Sequence, residues 1–241
     1  MSLLAVKGLT RHFAGLIALK DVSFDVAPGS ITALIGPNGA GKTTCFNVIA
    51  GAMPPSGGTV ALDGADVTGL APERACALGI ARTFQIVRPL AGLSVIENVT
   101  VAALVRERSI VGARAQAARV RAQVGLEHKA ESPAGGLTLP ERKMLELAKA
   151  LATRPRLLML DEVMAGLRPA EAMKVAAVIE GLNASGLTVL LIEHVMRVVM
   201  AIARTVIVLH HGEKIAEGAP GAIAADPRVV ECYLGNLGRK R

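Results

Sequence analysis

Short apolar runs alternate along the chain with longer stretches of helical spacing, a pattern that predicts strands interleaved with helices. The run ITALI at 31–35 leads directly into glycine, and the run LLML at 157–160 leads into two acidic residues. Continuous apolar runs of this length are typical of strands buried on both faces of a sheet. The predicted strands are 3–9, 22–26, 31–35, 59–62, 157–160, 188–192, 205–209 and 214–217.

Apolar residues at helical spacing fill the intervals between these strands. Pro169 favours the first turn of one of the predicted helices, because proline fits the start of a helix without losing a hydrogen bond. The predicted helices are 41–50, 94–108, 112–124, 140–153, 169–184, 194–203 and 226–234. We therefore expect an α/β fold with a mostly parallel sheet and helices on both of its faces.

Composition limits the classes of partner. The 241 residues include 51% hydrophobic but only 2% aromatic residues, and the net charge is +7. So few aromatic rings argue against base stacking, and we expect no nucleic acid partner despite the positive charge. No apolar run reaches the ~18 residues of a membrane span, and the first ten residues lack a secretory signal, so we expect a cytoplasmic chain. The basic residues at 239–241 are expected to be solvated.

Residues 36–43 have the sequence GPNGAGKT and match the phosphate-loop pattern G-x-x-x-x-G-K-[ST]. Glycine lets backbone N–H groups approach phosphate oxygens, and the following helix N-terminus favours negative charge. Lys42 is expected to reach the β- and γ-phosphates of ATP, and Thr43 to offer its hydroxyl to Mg²⁺. A glycine-rich turn is the ordinary alternative, but the position between a strand and a helix disfavours it. The residues expected to bind ATP here are Gly36, Pro37, Asn38, Gly39, Ala40, Gly41, Lys42, Thr43 and Thr44, the last also suited to helix packing.

Two carboxylates, Asp161 and Glu162, follow the LLML strand. Asp161 is suited to hold Mg²⁺ through its water shell, and Glu162 to polarise an attacking water molecule. A solvated turn would explain this pair if it stood alone. Because ligands of parallel sheets bind at the carboxyl ends of strands, the pair and the phosphate loop are expected to meet at one site.

In the order of its motifs, the chain resembles the nucleotide-binding subunits of ATP-binding cassette (ABC) transporters over almost its whole length. Gln85 in RTFQ stands at the position of the family's Q-loop glutamine, and His194 in LLIEH at that of its switch histidine. Residues 165–168 stand at the position of the D-loop. Phe13 stands where the family has an aromatic ring that stacks on adenine; a place in the core is the alternative.

The resemblance implies roles and an architecture. Glu162, His194 and Gln85 would be catalytic, and Mg²⁺ would lie near Thr43, Gln85 and Asp161. The architecture would be a P-loop NTPase cassette with a mostly parallel core sheet, an antiparallel β subdomain and a small helical lobe. Residues 1–93 and 154–241 would form the core lobe with the β subdomain, and about 94–153 the helical lobe.

Four stretches resemble the branched-chain amino acid importer branch of the family: ARTFQIVR at 81–88, LSVIENV at 93–99, LIEH at 191–194 and VECYLG at 230–235. That branch implies transmembrane permease subunits, a second ABC ATPase subunit in a homo- or heterodimer, and indirectly a periplasmic substrate-binding protein. The chain would then lie on the inner face of the cell membrane. The alternatives are the ATPase of a lipid-type exporter and a soluble ABC protein acting on DNA or the ribosome.

One motif departs from the family pattern. The signature close to LSGGQ, which contacts the γ-phosphate of ATP across the dimer, corresponds here to Leu137, Thr138, Leu139, Pro140 and Glu141. Both glycines are absent, and proline has no N–H to donate. Thr138 and Glu141 still have the spacing of a capping box that begins a helix. We therefore expect slow but real ATP hydrolysis.

Overall fold

The computed structural model describes residues 2–85 and 87–234. Its strands are β1 (Leu4–Phe13), β2 (Leu16–Val26), β3 (Ile31–Ile35), β4 (Gly57–Leu62), β5 (Ala65–Asp66), β6 (Ile80–Arg82), β7 (Leu157–Asp161), β8 (Thr188–Ile192), β9 (Thr205–His210) and β10 (Glu213–Gly218). Its α-helices are α1 (Lys42–Ile49), α2 (Pro72–Leu78), α3 (Val95–Ala103), α4 (Ile110–Gln123), α5 (Leu139–Ala152), α6 (Pro169–Ala184), α7 (Met196–Ile202), α8 (Pro220–Ala225) and α9 (Pro227–Leu234).

The strands form two sheets. Six of them form one sheet in the order β10-β9-β3-β8-β7-β6, in which every pair is parallel except β9 with β10. The other four form an antiparallel sheet in the order β2-β1-β4-β5. The expected combination of a mostly parallel sheet, an antiparallel sheet and helices is confirmed.

Strand β7 shows how the parallel sheet is buried on both faces. Leu158 and Leu160 belong to a core cluster shared with α3 to α9, whereas Leu157 and Met159 belong to a second cluster shared with α1 and the antiparallel sheet. Because successive side chains of a strand point to opposite faces, a strand between two such layers has to be continuously apolar. This burial explains the run that leads into the acidic pair.

Most predicted elements are present, with boundaries that move by up to six residues, as at the start of β2. β3, β8 and α6 have the predicted bounds. The predicted helix 194–203 begins late, at Met196, so the prediction that His194 lies in a helix is wrong. Gly235 and residues 239–241 lie outside the described residues.

Four short elements were not predicted: β5, α2, β6 and α8. The two helices begin with Pro72 and Pro220 in their first turn, a signal that the sequence did contain. β6 has only three residues, too few for a periodic pattern to emerge. Within residues 2–85 and 87–234, no helix is both long enough and apolar enough to cross a membrane.

The loop that leaves β3 lies tightly against the neighbouring strand β9. Gly36 has a φ of 148°, and a Cβ at this position would overlap the carbonyl oxygen of Leu209. Gly39, in the same loop, also has a positive φ, 80°, but a Cβ there would meet nothing within 4 Å. Substitutions at the two positions therefore distinguish the effect of a steric clash from the effect of backbone strain.

Gly36→Ala is expected to lower the free energy of unfolding by at least about 1 kcal/mol more than Gly39→Ala, because both variants carry backbone strain and only the first has a clash. Chemical denaturation of the two variants measures the difference. Equal losses of stability would contradict the packing of the loop against β9.

Candidate functional site

The loop between β3 and α1 presents backbone donors. The first helical hydrogen bond of α1 runs from the N–H of Cys45 to the carbonyl of Gly41, at 2.9 Å. The N–H groups of Lys42, Thr43 and Thr44 precede that bond and therefore have no acceptor within the helix. Free N–H groups at a helix N-terminus attract anions, so this end of α1 suits a phosphate group.

The Lys42 side chain folds across the same loop. Its Nζ donates to the carbonyl oxygens of Gly36 at 2.7 Å and Pro37 at 2.9 Å. An ammonium group has three donors, so one remains for a ligand. Burial lowers the pKa of Lys42, and the nearby carboxylates of Glu162 and Asp161 act in the opposite direction. The loop and its lysine therefore fit a polyphosphate.

The carboxylate of Glu162 is held from both sides. Its Oε2 accepts a hydrogen bond from Nε2 of Gln85 at 2.6 Å, and its Oε1 lies 2.6 Å from Nε2 of His194. Glu162 and His194 were predicted to be catalytic together with Gln85, and the structure brings all three side chains into contact. Two hydrogen bonds fix the orientation of a carboxylate that would otherwise rotate freely.

The backbone of Glu162 contributes to this placement. Its φ of 50° lies in the left-handed region, which costs a residue with a side chain roughly 1 kcal/mol. Its N–H donates to the carbonyl of Ile192 at 2.9 Å, at the end of β8. The turn after β7 is therefore fastened to the strand that leads into His194.

Asp161 is buried in an ion pair. Its Oδ2 lies 2.6 Å from a guanidinium nitrogen of Arg82, and the exposed fractions of the two side chains are 3% and 9%. The same guanidinium donates to Oδ1 of Asn47 on α1, at 2.5 Å. Arg82 therefore connects β7 with the helix that follows the phosphate loop.

The residues predicted to hold Mg²⁺ share one cavity of about 740 Å³, which Thr43, Gln85 and Asp161 line together with Arg82. Hydroxyl, amide and carboxylate oxygens are the ligands that Mg²⁺ takes in proteins. One carboxylate oxygen of Asp161 binds Arg82, which leaves the other for a metal-bound water. The donor set therefore fits a magnesium ion.

Phe13 lies at the end of β1, with 39% of the residue exposed. The guanidinium carbon of Arg11 lies 4.8 Å from the centre of its ring. Phe13 pairs with Leu16 on β2, and a Cβ at Gly41 would lie 2.5 Å from the carbonyl of Ala18 on that strand. The hairpin with Phe13 is therefore adjacent to the phosphate loop.

The signature stretch 137–141 lies at the start of α5. Thr138 donates from its N–H and from its hydroxyl to Oε2 of Glu141, each at 2.8 Å, which confirms the predicted capping box. The N–H of Thr138 is the main cause that lowers the pKa of Glu141. Leu137 is buried, Leu139 is 44% exposed and Pro140 lies in the first turn. Among the residues described, no hydrogen bond joins this stretch to residues 36–43.

Three charged residues near the site were not singled out in the sequence: Arg82, Lys143 and Glu193. All three side chains are buried or nearly so, and each contacts a site residue or its neighbour. Glu193 is adjacent to His194, and Arg82 ends a short apolar run, which were the available signals. Their partners are distant in sequence, so no spacing pattern identifies them.

Comparison with known proteins places this site in a family. The model of the ABC transporter family matches residues 19–165, and that of the branched-chain amino acid ATP-binding cassette transporter matches residues 213–236. The chain is 39% identical to the high-affinity branched-chain amino acid transport ATP-binding protein BraF of Pseudomonas aeruginosa, over 97% of this chain and 98% of the relative. It is 38% identical to the corresponding protein LivG of Escherichia coli, over the same shares of each chain.

The comparison with solved structures leads to the same family. A nucleotide-free ATP-binding cassette from an ABC transporter superposes with a TM-score of 0.90 and 31% identity, covering 98% of this chain and 100% of the other. An ATP-binding cassette in its ADP conformation superposes with a TM-score of 0.89, with the same identity and coverage. The chain therefore belongs to the ABC transporter family, as one of its ATP-hydrolysing ATP-binding cassettes.

Proposed function

We propose that this chain powers an importer of branched-chain amino acids or similar small solutes by binding and hydrolysing ATP at the site described above. The observation that carries the proposal is the Glu162 carboxylate, held between Gln85 and His194 near the lysine of the phosphate loop. Relatives that cover nearly the whole chain are named as branched-chain amino acid transport proteins, which supports the class of solute.

In this proposal, residues 36–44 hold the triphosphate through backbone N–H groups and Lys42, and Phe13 stacks on adenine. Thr43, Gln85 and Asp161 would hold Mg²⁺. When bound, the metal would supply neutralisation of the charge that develops on the phosphate oxygens. Arg82 holds the carboxylate of Asp161 in place for that task through an ion pair of 2.6 Å.

Glu162 is the proposed general base. Phosphoryl transfer requires mainly that the attacking water be positioned and that charge be neutralised. A carboxylate oriented by Gln85 on one oxygen and His194 on the other has a fixed direction in which to accept a proton. His194 is 41% exposed at its side chain, so it remains accessible to a γ-phosphate.

We further propose that two cassettes complete each other's sites and that residues 137–141 serve the partner poorly. Thr138 donates both its hydroxyl and its N–H to Glu141 within its own chain. Pro140 has no N–H, and residues 137–141 contain no glycine. A homodimer would hydrolyse slowly. In a heterodimer with a different cassette, only the site facing this stretch would be impaired.

Transmembrane permeases are the proposed membrane partners, with a periplasmic binding protein delivering the solute to them. The cavity beside Gln85 continues to Phe84, Arg88 and Pro72, which leaves a partly apolar recess next to the catalytic glutamine. Phe84 is 60% exposed there. Docking at this recess would place the chain on the inner face of the membrane. We assign residues 1–93 and 154–241 to the core lobe with the β subdomain, and about 94–153 to the helical lobe.

Import itself is tested by purifying the chain with candidate permease subunits and reconstituting them in vesicles. ATP-dependent uptake of leucine, isoleucine or valine in the presence of a candidate binding protein is the expected result. ATP-driven movement of lipid, or no association with any permease, would contradict the proposal.

Glu162→Gln is expected to lower the turnover of ATP at least about 100-fold and to leave ATP binding intact, because the base is lost and the phosphate loop is not. Turnover and nucleotide affinity are measured on the purified chain with its permeases. Glu180→Gln, an exposed site on α6, is the matched control and should behave as wild type. Full activity of Glu162→Gln would remove Glu162 from the mechanism.

The double variant Leu139→Gly/Pro140→Gly is expected to raise the turnover of a homodimer about tenfold, because it restores a backbone donor worth about one charge-assisted hydrogen bond. Steady-state hydrolysis at saturating ATP measures this. The same change combined with Glu162→Gln should remain inactive. An unchanged rate in the homodimer would show that these two residues do not limit turnover.

Phe84→Ala is expected to weaken the affinity for detergent-solubilised permeases about tenfold, because exposed aromatic residues at a recess commonly dominate an interface. Binding of immobilised permease measures the loss. Met173→Ala, at an exposed apolar residue of α6, is the control. If both variants bind equally well, the recess is not the docking site.

A further inference from the structure

Lys143 is a buried cation that contacts two parts of the catalytic site. It lies in the second turn of α5, and only 4% of the residue is exposed. Its Nζ donates to the backbone carbonyls of Gln85 and Glu162, each at 3.2 Å. These carbonyls belong to the two residues whose side chains also bind each other. One ammonium group therefore joins both backbones.

The surroundings of Lys143 explain how a charge is tolerated there. Burial lowers its pKa, and the carboxylates of Glu193, Glu162 and Asp161 act in the opposite direction, Glu193 most strongly. Arg82 and His194 bind two of these carboxylates from other sides. Burying an ammonium group away from water destabilises the folded chain unless such partners compensate the charge.

Glu193 extends the same cluster. It is 1% exposed, and its Oε1 accepts the N–H of Met164 at 2.8 Å, which fastens the segment after Glu162 to the end of β8. Burial is the main cause that raises the pKa of Glu193. The carboxylate of Glu193 in turn acts on Lys143, whose pKa it raises against the effect of burial.

We propose that Lys143 is a positioning residue for hydrolysis, which holds the backbones of Gln85 and Glu162 at the separation at which their side chains meet. The inference rests on the role of Glu162 as general base proposed above. Because Lys143 lies on α5, whose start is the signature stretch, it also ties the position of that helix to the base. A displacement of α5 would then be transmitted to Glu162 through one side chain.

The segment that contains Gln85 needs such a support. Between β6 and α3 the described residues have no regular structure, and Gln85 itself is exposed. Within the part of the chain that the structure covers, Gln85 is held by the side-chain bond to Glu162 and by the bond that its carbonyl accepts from Lys143. Without Lys143, the side-chain hydrogen bond to Glu162 would have to hold the backbone of Gln85 in place by itself.

The test compares Lys143→Met, which removes the charge and the donors, with Lys143→Arg, which keeps both. Lys174→Met, at an exposed lysine of α6, is the control. The kcat and KM for ATP, the affinity for ATP and the melting temperature are measured on the full chain with its permeases. Lys143→Gln, which retains a donor without charge, replaces Lys143→Met if that variant does not fold.

Lys143→Met is expected to lower kcat at least about tenfold with KM within about twofold of wild type. Lys143→Arg should restore kcat, because it keeps the charge and the donors, and Lys174→Met should match wild type.

A wild-type kcat for Lys143→Met overturns the inference. So does a loss of kcat that follows the loss of stability or of ATP affinity and that Lys143→Arg does not restore, because a merely structural role predicts that result. Glu162→Gln is measured in parallel. If it is inactive while Lys143→Met is normal, only this inference fails, whereas an active Glu162→Gln overturns the assigned base and the inference with it.

Discussion

The parallel pairing of β3 with β8 and of β8 with β7 is the constraint on which the site depends. In this register Leu34 and Asp161 both lie opposite Ile192, so the three strands end at one edge of the sheet. The N–H of Glu162 continues the pairing one residue beyond β7 by donating to Ile192. A shift of one residue would turn every side chain of β7 to the other face and separate Glu162 from His194.

The parts of the site that could be predicted are those that local sequence determines. The phosphate loop and the acidic pair follow continuous apolar strands, and the edge at which parallel strands end is a general property of such sheets. Gln85 and His194 were identified through resemblance. The sequence did not indicate that both bind the two oxygens of one carboxylate, because that depends on how three loops meet.

The burial of charged side chains could not be predicted from the sequence, for a physical reason. Taken alone, a charged residue is expected to be solvated, and only a tertiary partner makes its burial tolerable. Asp161 is buried because Arg82 pairs with it, and removing one partner of such a pair typically costs about 3–5 kcal/mol. Lys143 and Glu193 follow the same rule. The charged side chains that organise the site are therefore ones that a spacing pattern alone would predict to be exposed.

At the start of α5, the contacts that stabilise the helix conflict with the role expected of the signature stretch, which is to contact a partner's phosphate. Glu141 satisfies two donors of Thr138 and lies 3.2 Å from Lys129, so the helix is well capped without any ligand. The same carboxylate brings negative charge to the place where a partner's phosphate would approach, and like charges repel. A phosphate would have to compete with Glu141 for the Thr138 hydroxyl. Any resulting movement of α5 would act on Lys143, and hence on the backbone of Glu162 within the same chain.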